Sequence, residues 1–475
     1  MPFPASKTKI VCTLGPASSS AEIMESMVNA GMNVARLNFS HGDFAGHQAA
    51  IETLRAASRR AGRRVAVMAD LPGPKIRIGE LAQEPIELRR DDDFILTTDK
   101  ILGSRERAFV DFALLPKVVK PGDELFINDG IIRLRVEEIA GADVRCRVLA
   151  GGELRSRKGL NLPGIDLGSC AFTARDRECL DFALSCGVEA ISQSFVDRAS
   201  DIEALREAAA QRGERPFVIA KIERAGALER IDEILAAADG IMVARGDLGV
   251  EIPIERIALV QKDLMRKARR AGKPVITATQ MLESMTVHSR PTRAEATDVA
   301  NAVLDGTDAV MLSGESAAGR YPVEAVAMLA RIAACAESRL AQAPLPGDLV
   351  GGDDDSPLGP EELIALSVYT VAKRSAPATI LVPTVSGATA RRIARFRLAA
   401  WITAVSPREK SCQELLFSFG VHPVHEAGYP GDWNAWAREW LSGLNVEGKL
   451  VALAEGPSPN ESWRNHRLAL IELRG

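Results

Sequence analysis

A chain of 475 residues, 46% hydrophobic and 26% charged, has the composition of a soluble globular protein and is too long for one core, which predicts roughly three domains. A net charge of −4 and a pI near 6.0 give no basic field for nucleic acid or an anionic membrane, and no apolar stretch is long enough to span a bilayer. Seven scattered cysteines never fall in a CxxC spacing, and Met1 to Cys12 lacks a signal-peptide core; both predict a cytoplasmic protein with reduced thiols, without a disulfide framework or a zinc site.

From Thr8 onward, strand and helix signals alternate. Lys9 to Thr13 reads as a strand, and Ser19 with Glu22 as the capping box of the next helix. Asn33 to Ser40 is the second strand, followed by a helix from about Asp43 to Ala61, and Arg64 to Leu71 is the third strand. Glu189 to Phe195 is the fourth, with Ser200 and Glu203 expected to cap its helix. Phe217 to Ala220 and Gly240 to Ala244 are short apolar runs of the buried-parallel kind and make the fifth and sixth. Lys273 to Thr279 and Thr307 to Ser313 complete the set, with helices expected at Thr292–Glu295 and from about Pro322 to Leu340. Eight strand–helix units in sequence predict a (β/α)8 barrel of the TIM type; a doubly wound open sheet is the alternative.

The third strand and the helix near Thr173 lie too far apart for a structureless loop. Ile132, Leu134 and Val136 alternate with Arg133, Arg135 and Glu137, so 72–167 is expected to be an inserted small β-barrel lid over the mouth of a barrel formed by 1–71 and 168–343. Residues 344–360 read as a polar linker, and 361–475 as a C-terminal α/β domain with strands at Thr379–Pro383, Ala400–Val405, Lys449–Ala454 and Leu468–Leu473.

In such a barrel the C-terminal ends of the strands build the active site. Those ends supply Arg36, Asn38, Ser40 and His41; Asp70; Ser194; Lys221 and Glu223; Asp247; Thr279 and Gln280; and Ser313, Glu315 and Ser316. Two fixed cations, several carboxylates and several hydroxyls suit a phosphorylated or carboxylated substrate on a magnesium-type ion better than zinc. A lone Lys–Glu pair can merely close a barrel rim, and a lone Asp can merely cap a helix. Their joint placement on strand ends is what argues for chemistry.

These residues sit in motifs that resemble the pyruvate kinase family: RLNFSHG at 36–42, KIE at 221–223, MVARGDLG at 242–249, ATQMLESM at 278–285, PTRAE at 291–295 and DAVMLSGESAAGRYP at 308–322. The resemblance covers essentially the whole chain, lid and C-terminal domain included. It implies transfer of the phosphoryl group of phosphoenolpyruvate to ADP, giving ATP and pyruvate, with Mg2+ or Mn2+ held by Glu223 and Asp247. It further implies that Lys221 and Arg36 meet the phosphoryl group and that the Gly246 and Asp247 amides take the carboxylate. Thr279, with Ser194, would lie near the protonation face of the enolate, and Asn38, His41, Arg77 and Lys158 would contact the nucleotide. A cytoplasmic homotetramer is the family's habit.

One departure matters. Many members carry Thr-Lys-Gly-Pro-Glu after the position of Asp70 and bind potassium beside Asn38, Ser40 and Asp70; here the run is Leu71-Pro72-Gly73-Pro74-Lys75. The resemblance therefore points to the subgroup that needs no potassium, with the Lys75 ammonium as an internal cation. In the C-terminal domain, Thr384, Ser386, Gly387 and Thr389 lie between a strand and a helix, where amides and hydroxyls favour an anion; the resemblance implies a phosphorylated allosteric effector there. Two other readings compete. One is a magnesium-dependent lyase or aldolase acting on a 2-oxo acid, which would have no use for the lid cations; the other is a non-catalytic metabolite sensor, which would have no use for Lys221, Glu223, Asp247 and Thr279 together.

Overall fold

Alternation along eight strands decides which side chains reach the barrel mouth. The computed structural model describes residues 3–168, 170–340, 349, 358–428, 430–444, 448–457 and 465–473. In it Lys9–Thr13, Val34–Asn38, Ala66–Asp70, Ala190–Gln193, Phe217–Ile222, Gly240–Ala244, Val275–Ala278 and Ala309–Leu312 pair in parallel, in sequence order, and close first to last. Val11, Val34, Met68, Ala190, Ile219 and Met311 belong to one buried interior cluster. Two residues further along the same faces stand Thr13, Arg36, Asp70, Ser192, Lys221 and Ser313. The opposite parity, including Val67, Val218, Ala220 and Val243, packs against the surrounding helices. The interior is thus apolar at its floor and polar at its mouth.

Helix starts follow short polar caps. Asp43 accepts from Gly46 N at the start of Phe44–Ala61, and Thr173–Asp176 and Thr292–Glu295 form reciprocal capping boxes. Two expected caps fall elsewhere. The helix Ala21–Ala30 is capped by Ser20, whose hydroxyl accepts from Ile23 N, while the Ser19 hydroxyl donates to Pro16 O. Ser200 and Glu203 lie inside the helix Ala199–Ala210; its entry is fixed by the Asp201 carboxylate, which accepts from Asp197 N and Arg198 N at 2.9 and 3.1 Å.

The inserted segment has its own hydrophobic core, running from Ile76 to Leu167. A two-stranded ribbon and a six-stranded mixed sheet surround that core. The Arg77–Leu81 stretch bridges both ends of the larger sheet, pairing Arg77 with Gly159 and Ile78 with Val110, so the barrel-like closure runs through isolated bridges rather than a full strand. Arg224 donates to Ile165 O at 2.5 Å and Arg198 pairs with Asp166 at 3.0 Å, tying the returning stem to the large barrel.

The C-terminal sheet has the order Val421–His425, Trp401–Ser406, Thr379–Pro383, Leu450–Glu455, Arg467–Glu472, the last strand antiparallel. Val421–His425 is a strand that the sequence reading lacks. Pro423 and two histidines break its apolar run, and the sheet tolerates that proline because the strand lies at the edge. Leu416 and Phe417 from this domain join the barrel-interior cluster, and Phe417 stacks on Phe217 with ring centroids 5.4 Å apart. The C-terminal domain therefore plugs the floor and leaves the mouth open. The expected linker 344–360 lies almost wholly outside the described residues. No helix among the described residues is long and apolar enough to cross a membrane.

Candidate active site

At the mouth, two cations and two carboxylates interlock. Arg36 donates from Nε to Asp70 Oδ2 at 2.7 Å and from Nη1 to Thr13 Oγ1 at 2.9 Å. Lys221 Nζ donates to Ser194 Oγ at 2.6 Å and lies 2.9 Å from Glu223 Oε1 and 3.4 Å from Asp70 Oδ1. Ser192 Oγ donates to Asp70 Oδ1 at 2.7 Å, and Ser194 Oγ to Leu71 O at 2.7 Å. Phe195 N donates to Glu223 Oε2 at 2.7 Å. Asp70 and Glu223 are each 1% exposed, so the network is shielded from water.

Shielding and charge set the protonation states. Burial opposes ionisation of Asp70, but Lys221, Arg36 and the Ser192 hydrogen bond outweigh it and hold the carboxyl below its ordinary range. Burial likewise opposes the Lys221 charge, and Asp70 and Glu223 overcome it, raising the ammonium. Glu223 goes the other way: burial, reinforced by the negative charge of Asp247, pushes it up against the pull of Lys221.

A divalent cation suits two neighbouring carboxylates of this kind. Glu223 and Asp247 are hard oxygen donors close enough to sense one another. Among the described residues no group of three or more His, Cys, Asp or Glu forms a closed metal cage. Two carboxylates, with the other positions left to substrate oxygens and water, is how magnesium is bound.

Thr279 stands just past the seventh strand in the left-handed region at φ 68°, followed by Gln280 at φ 53°. Such backbone is costly for a β-branched residue and persists only where its surroundings over-determine it. Arg245 supplies the restraint: Nη2 donates to Thr279 O at 2.7 Å, Nε to Ala278 O at 3.2 Å, and Nη1 to Asp298 Oδ1 at 2.7 Å. So held, Thr279 Oγ1 accepts from Gly246 N at 2.9 Å. The Gly246 amide, expected to face a substrate carboxylate, is thus bonded to the Thr279 hydroxyl.

Lys75 lies where the lid leaves the barrel. Its ammonium is 3.9 Å from Asp247 Oδ1, whereas the ion-pair partners of Asp70 are Arg36 and Lys221. The expected cluster of Lys75 with Asn38, Ser40 and Asp70 is therefore not formed; its long stem runs past Gly159 toward the metal-side carboxylate instead. The hinge before it requires glycine: Gly73 has φ 65°, and a Cβ there would meet Phe195 Cδ2 at 2.9 Å and Ser194 Cβ at 3.0 Å. Gly73 N donates to the buried Asp176 carboxylate at 2.9 Å.

The expected nucleotide contacts form two groups. Arg77 pairs through its backbone with Gly159 and Ile78 N donates to Lys158 O at 2.9 Å, so both lid cations lie on paired segments of the lid stem. On the barrel, Asn38 Oδ1 accepts from Ser40 N at 3.1 Å, and the His41 side chain is exposed. Among the described residues, no hydrogen bond or ion pair joins one group to the other. In the C-terminal loop, Thr384 Oγ1 accepts from Gly387 N at 2.9 Å, Ser386 is exposed with its carbonyl taken by Arg391 Nη2 at 2.8 Å, and Thr389 is half-buried.

Thr13, Ser192 and Arg245 are parts of the site that the strand-end reading omitted. Thr13 closes the first strand and Ser192 precedes Ser194 on the same face, so strict alternation identifies both. Arg245 stands in the RGDLG run, yet nothing in its spacing announces a hydrogen bond to Thr279.

Known proteins resemble this one over most of the chain. Residues 5–326 match the family described as pyruvate kinase, barrel domain, and 362–445 that described as pyruvate kinase, alpha/beta domain. A pyruvate kinase of Thermococcus litoralis is 47% identical over 89% of this chain and 89% of its own length. One from Staphylococcus aureus is 42% identical over 98% and 80%. The crystal structure of a pyruvate kinase from Cryptosporidium parvum superposes with a TM-score of 0.91 at 35% identity, covering 99% of this chain and 97% of that one. Neither the lyase nor the sensor reading predicts such agreement over barrel and C-terminal domain alike. The chain belongs to the pyruvate kinase family, whose reaction transfers the phosphoryl group of phosphoenolpyruvate to ADP.

Proposed function

We propose that the mouth network performs this transfer with Lys221 at its centre. The observation that carries the reading is the Lys221 ammonium, buried among Ser194, Glu223 and Asp70 at the end of the fifth strand. Arg36, fixed by Asp70 and Thr13, holds the phosphoryl oxygens together with Lys221. The P–O bond to the enol oxygen breaks as a bond to the terminal ADP oxygen forms, and Lys221 neutralises the enolate left behind. Glu223 and Asp247 hold Mg2+ or Mn2+, which supplies charge neutralisation of phosphate and carboxylate oxygens when bound. Thr279 gives up its bond to Gly246 N so that the Gly246 and Asp247 amides take the substrate carboxylate, and with Ser194 it orders the proton path to the enolate. Arg77 and Lys158 descend with the lid onto the nucleotide phosphates, opposite Asn38 and His41.

We infer that Lys75 replaces a monovalent cation. Its 3.9 Å approach to Asp247 puts a fixed positive charge at the mouth, which would do internally what a bound potassium ion does. Rates in a buffer free of sodium and ammonium are expected to be the same with and without potassium, and Lys75→Glu is expected to introduce potassium dependence. Full potassium dependence of the unaltered enzyme would discard the inference.

The same reading extends to organisation. Separate hydrophobic clusters support units at 1–71 with 168–343, 72–167 and 361–475 joined by 344–360. It includes a cytoplasmic homotetramer, and a phosphorylated effector at Thr384, Ser386, Gly387 and Thr389 that shifts the phosphoenolpyruvate saturation curve.

A further inference from the structure

An inserted domain is joined to its host by two chain crossings, and here a left-handed glycine marks each one. The lid core runs from Ile76 to Leu167; Gly73 stands just before it and Gly168 just after it, both at φ 65°. Backbone of this kind lets a chain turn sharply, and hinges concentrate their rotation at a few such positions.

One buried carboxylate on the barrel side holds both crossings. Asp176, 0% exposed, accepts through Oδ1 from Gly73 N at 2.9 Å on the outgoing crossing. Through Oδ2 it accepts from Thr173 N at 2.8 Å and Thr173 Oγ1 at 2.7 Å on the returning one. A helix cap accounts for the Thr173 bonds. It does not call for Gly73, which lies 103 residues earlier in the chain. Burial pushes the Asp176 carboxyl up, and the Thr173, Gly73 and Gln193 hydrogen bonds pull against it, so its ionised form is held by the bonds that join the crossings. Gln193 backs the same joint: its Nε2 donates to Ala171 O at 3.0 Å on the returning crossing and to Ser194 O at 3.1 Å.

This joint leads directly to the reacting group. Leu71 O, two residues before Gly73, accepts from Ser194 Oγ at 2.7 Å, and Ser194 Oγ accepts from Lys221 Nζ at 2.6 Å. The outgoing crossing also lies flush on that serine, since a Cβ at Gly73 would meet Ser194 Cβ at 3.0 Å. A displaced crossing therefore displaces Ser194, and with it the ammonium.

We propose that Asp176 is a positioning residue for the transfer: it anchors both crossings of the lid and, through Leu71 and Ser194, sets where the lid closes and where Lys221 stands. The proposal rests on the phosphoryl-transfer reading for its effect on turnover, and on geometry alone for the anchor.

Steady-state kinetics and amide hydrogen exchange on the full chain test it together. Asp176→Asn keeps the shape of the side chain and turns one acceptor oxygen into a donor. The expected result is a kcat lower by about tenfold or more, with the 71–75 amides exchanging faster by about tenfold or more. The KM for ADP should rise more than that for phosphoenolpyruvate, because the lid cations close on the nucleotide. Thr173→Ala removes only the cap hydroxyl and leaves the carboxylate on Gly73, so it should lower Tm while kcat and the 71–75 exchange stay those of the unaltered chain. Asp176→Asn with a lower Tm alone, its kcat and 71–75 exchange unchanged, would reduce Asp176 to a helix cap and overturn the proposal. Equal kcat losses in the two variants would overturn it as well. Gly73→Ala disturbs the joint from the outgoing crossing with the carboxylate intact, which keeps the test decisive if Asp176→Asn folds poorly; undiminished kcat there would contradict the link to Lys221. Exchange is read without substrates, so it judges the anchor separately from the phosphoryl-transfer reading.

Discussion

Lys221 Nζ lies 2.9 Å from the carboxylate of Glu223, two residues further along the same chain. Alternation in the fifth strand turns both to the barrel mouth, so one short sequence, KIE, delivers a phosphoryl-binding cation and a metal-binding carboxylate together. Burial, with the negative charge of Asp247, presses the Glu223 carboxyl toward its protonated form against the pull of Lys221. Glu223→Gln should therefore weaken Mn2+ binding, read by titration of the free-ion EPR signal, by about 100-fold or more; even outer-shell changes at metal sites cost about 10–100-fold. Unchanged Mn2+ affinity would remove Glu223 from the metal site.

Arg245 makes no expected contact with the reacting atoms, yet it fixes the backbone on which Thr279 is presented. Arg245→Lys removes the planar fork that joins Ala278 O, Thr279 O and Asp298. A displacement of about 1 Å can cost about 100-fold, so kcat should fall by about that factor while the KM for ADP stays within about twofold. A merely structural role would lower Tm and leave kcat of the folded fraction intact, which would contradict the positioning role.

His422 gives a pH-dependent stability unrelated to catalysis. Burial, aided by Lys9 and Arg64, pushes its pKa down to about 4. The unfolded chain, with an ordinary imidazole near about 6.5, binds the proton first as pH falls. Stability from the neutral ring is thus complete above about 6.5 and drains away as pH drops toward about 4, with a slope of up to about 1.4 kcal/mol per pH unit. Lowering pH from 7 to 5 should reduce the Tm of the unaltered protein more than that of His422→Gln. Equal slopes would show that other groups carry the effect.

Periodicity made much of this molecule legible. Eight strand–helix units, the interruption after Asp70 and the mouth positions of Arg36, Lys221 and Glu223 follow from apolar runs and two-residue alternation. Contacts between distant segments did not. Leu416 and Phe417 look like any apolar pair in a loop, yet they fill the barrel floor against Phe217. The substitution at Lys75 is plain in sequence, whereas its reach to Asp247 depends on how the lid stem turns at Gly73. Val421–His425 escaped notice because Pro423 and its histidines suit an edge strand, a position set only by the completed sheet.

Pyruvate formation from phosphoenolpyruvate and ADP with Mg2+, measured for the unaltered chain beside Lys221→Met, tests the central claim most directly. The mutant keeps an apolar stem of similar length and removes the charge that Ser194, Glu223 and Asp70 surround. The expected result is robust turnover by the unaltered chain and a loss of at least about 10²–10³-fold in kcat for Lys221→Met, with Mn2+ binding retained. Turnover by Lys221→Met within about tenfold of the unaltered chain would contradict the assignment of this site as the seat of phosphoryl transfer.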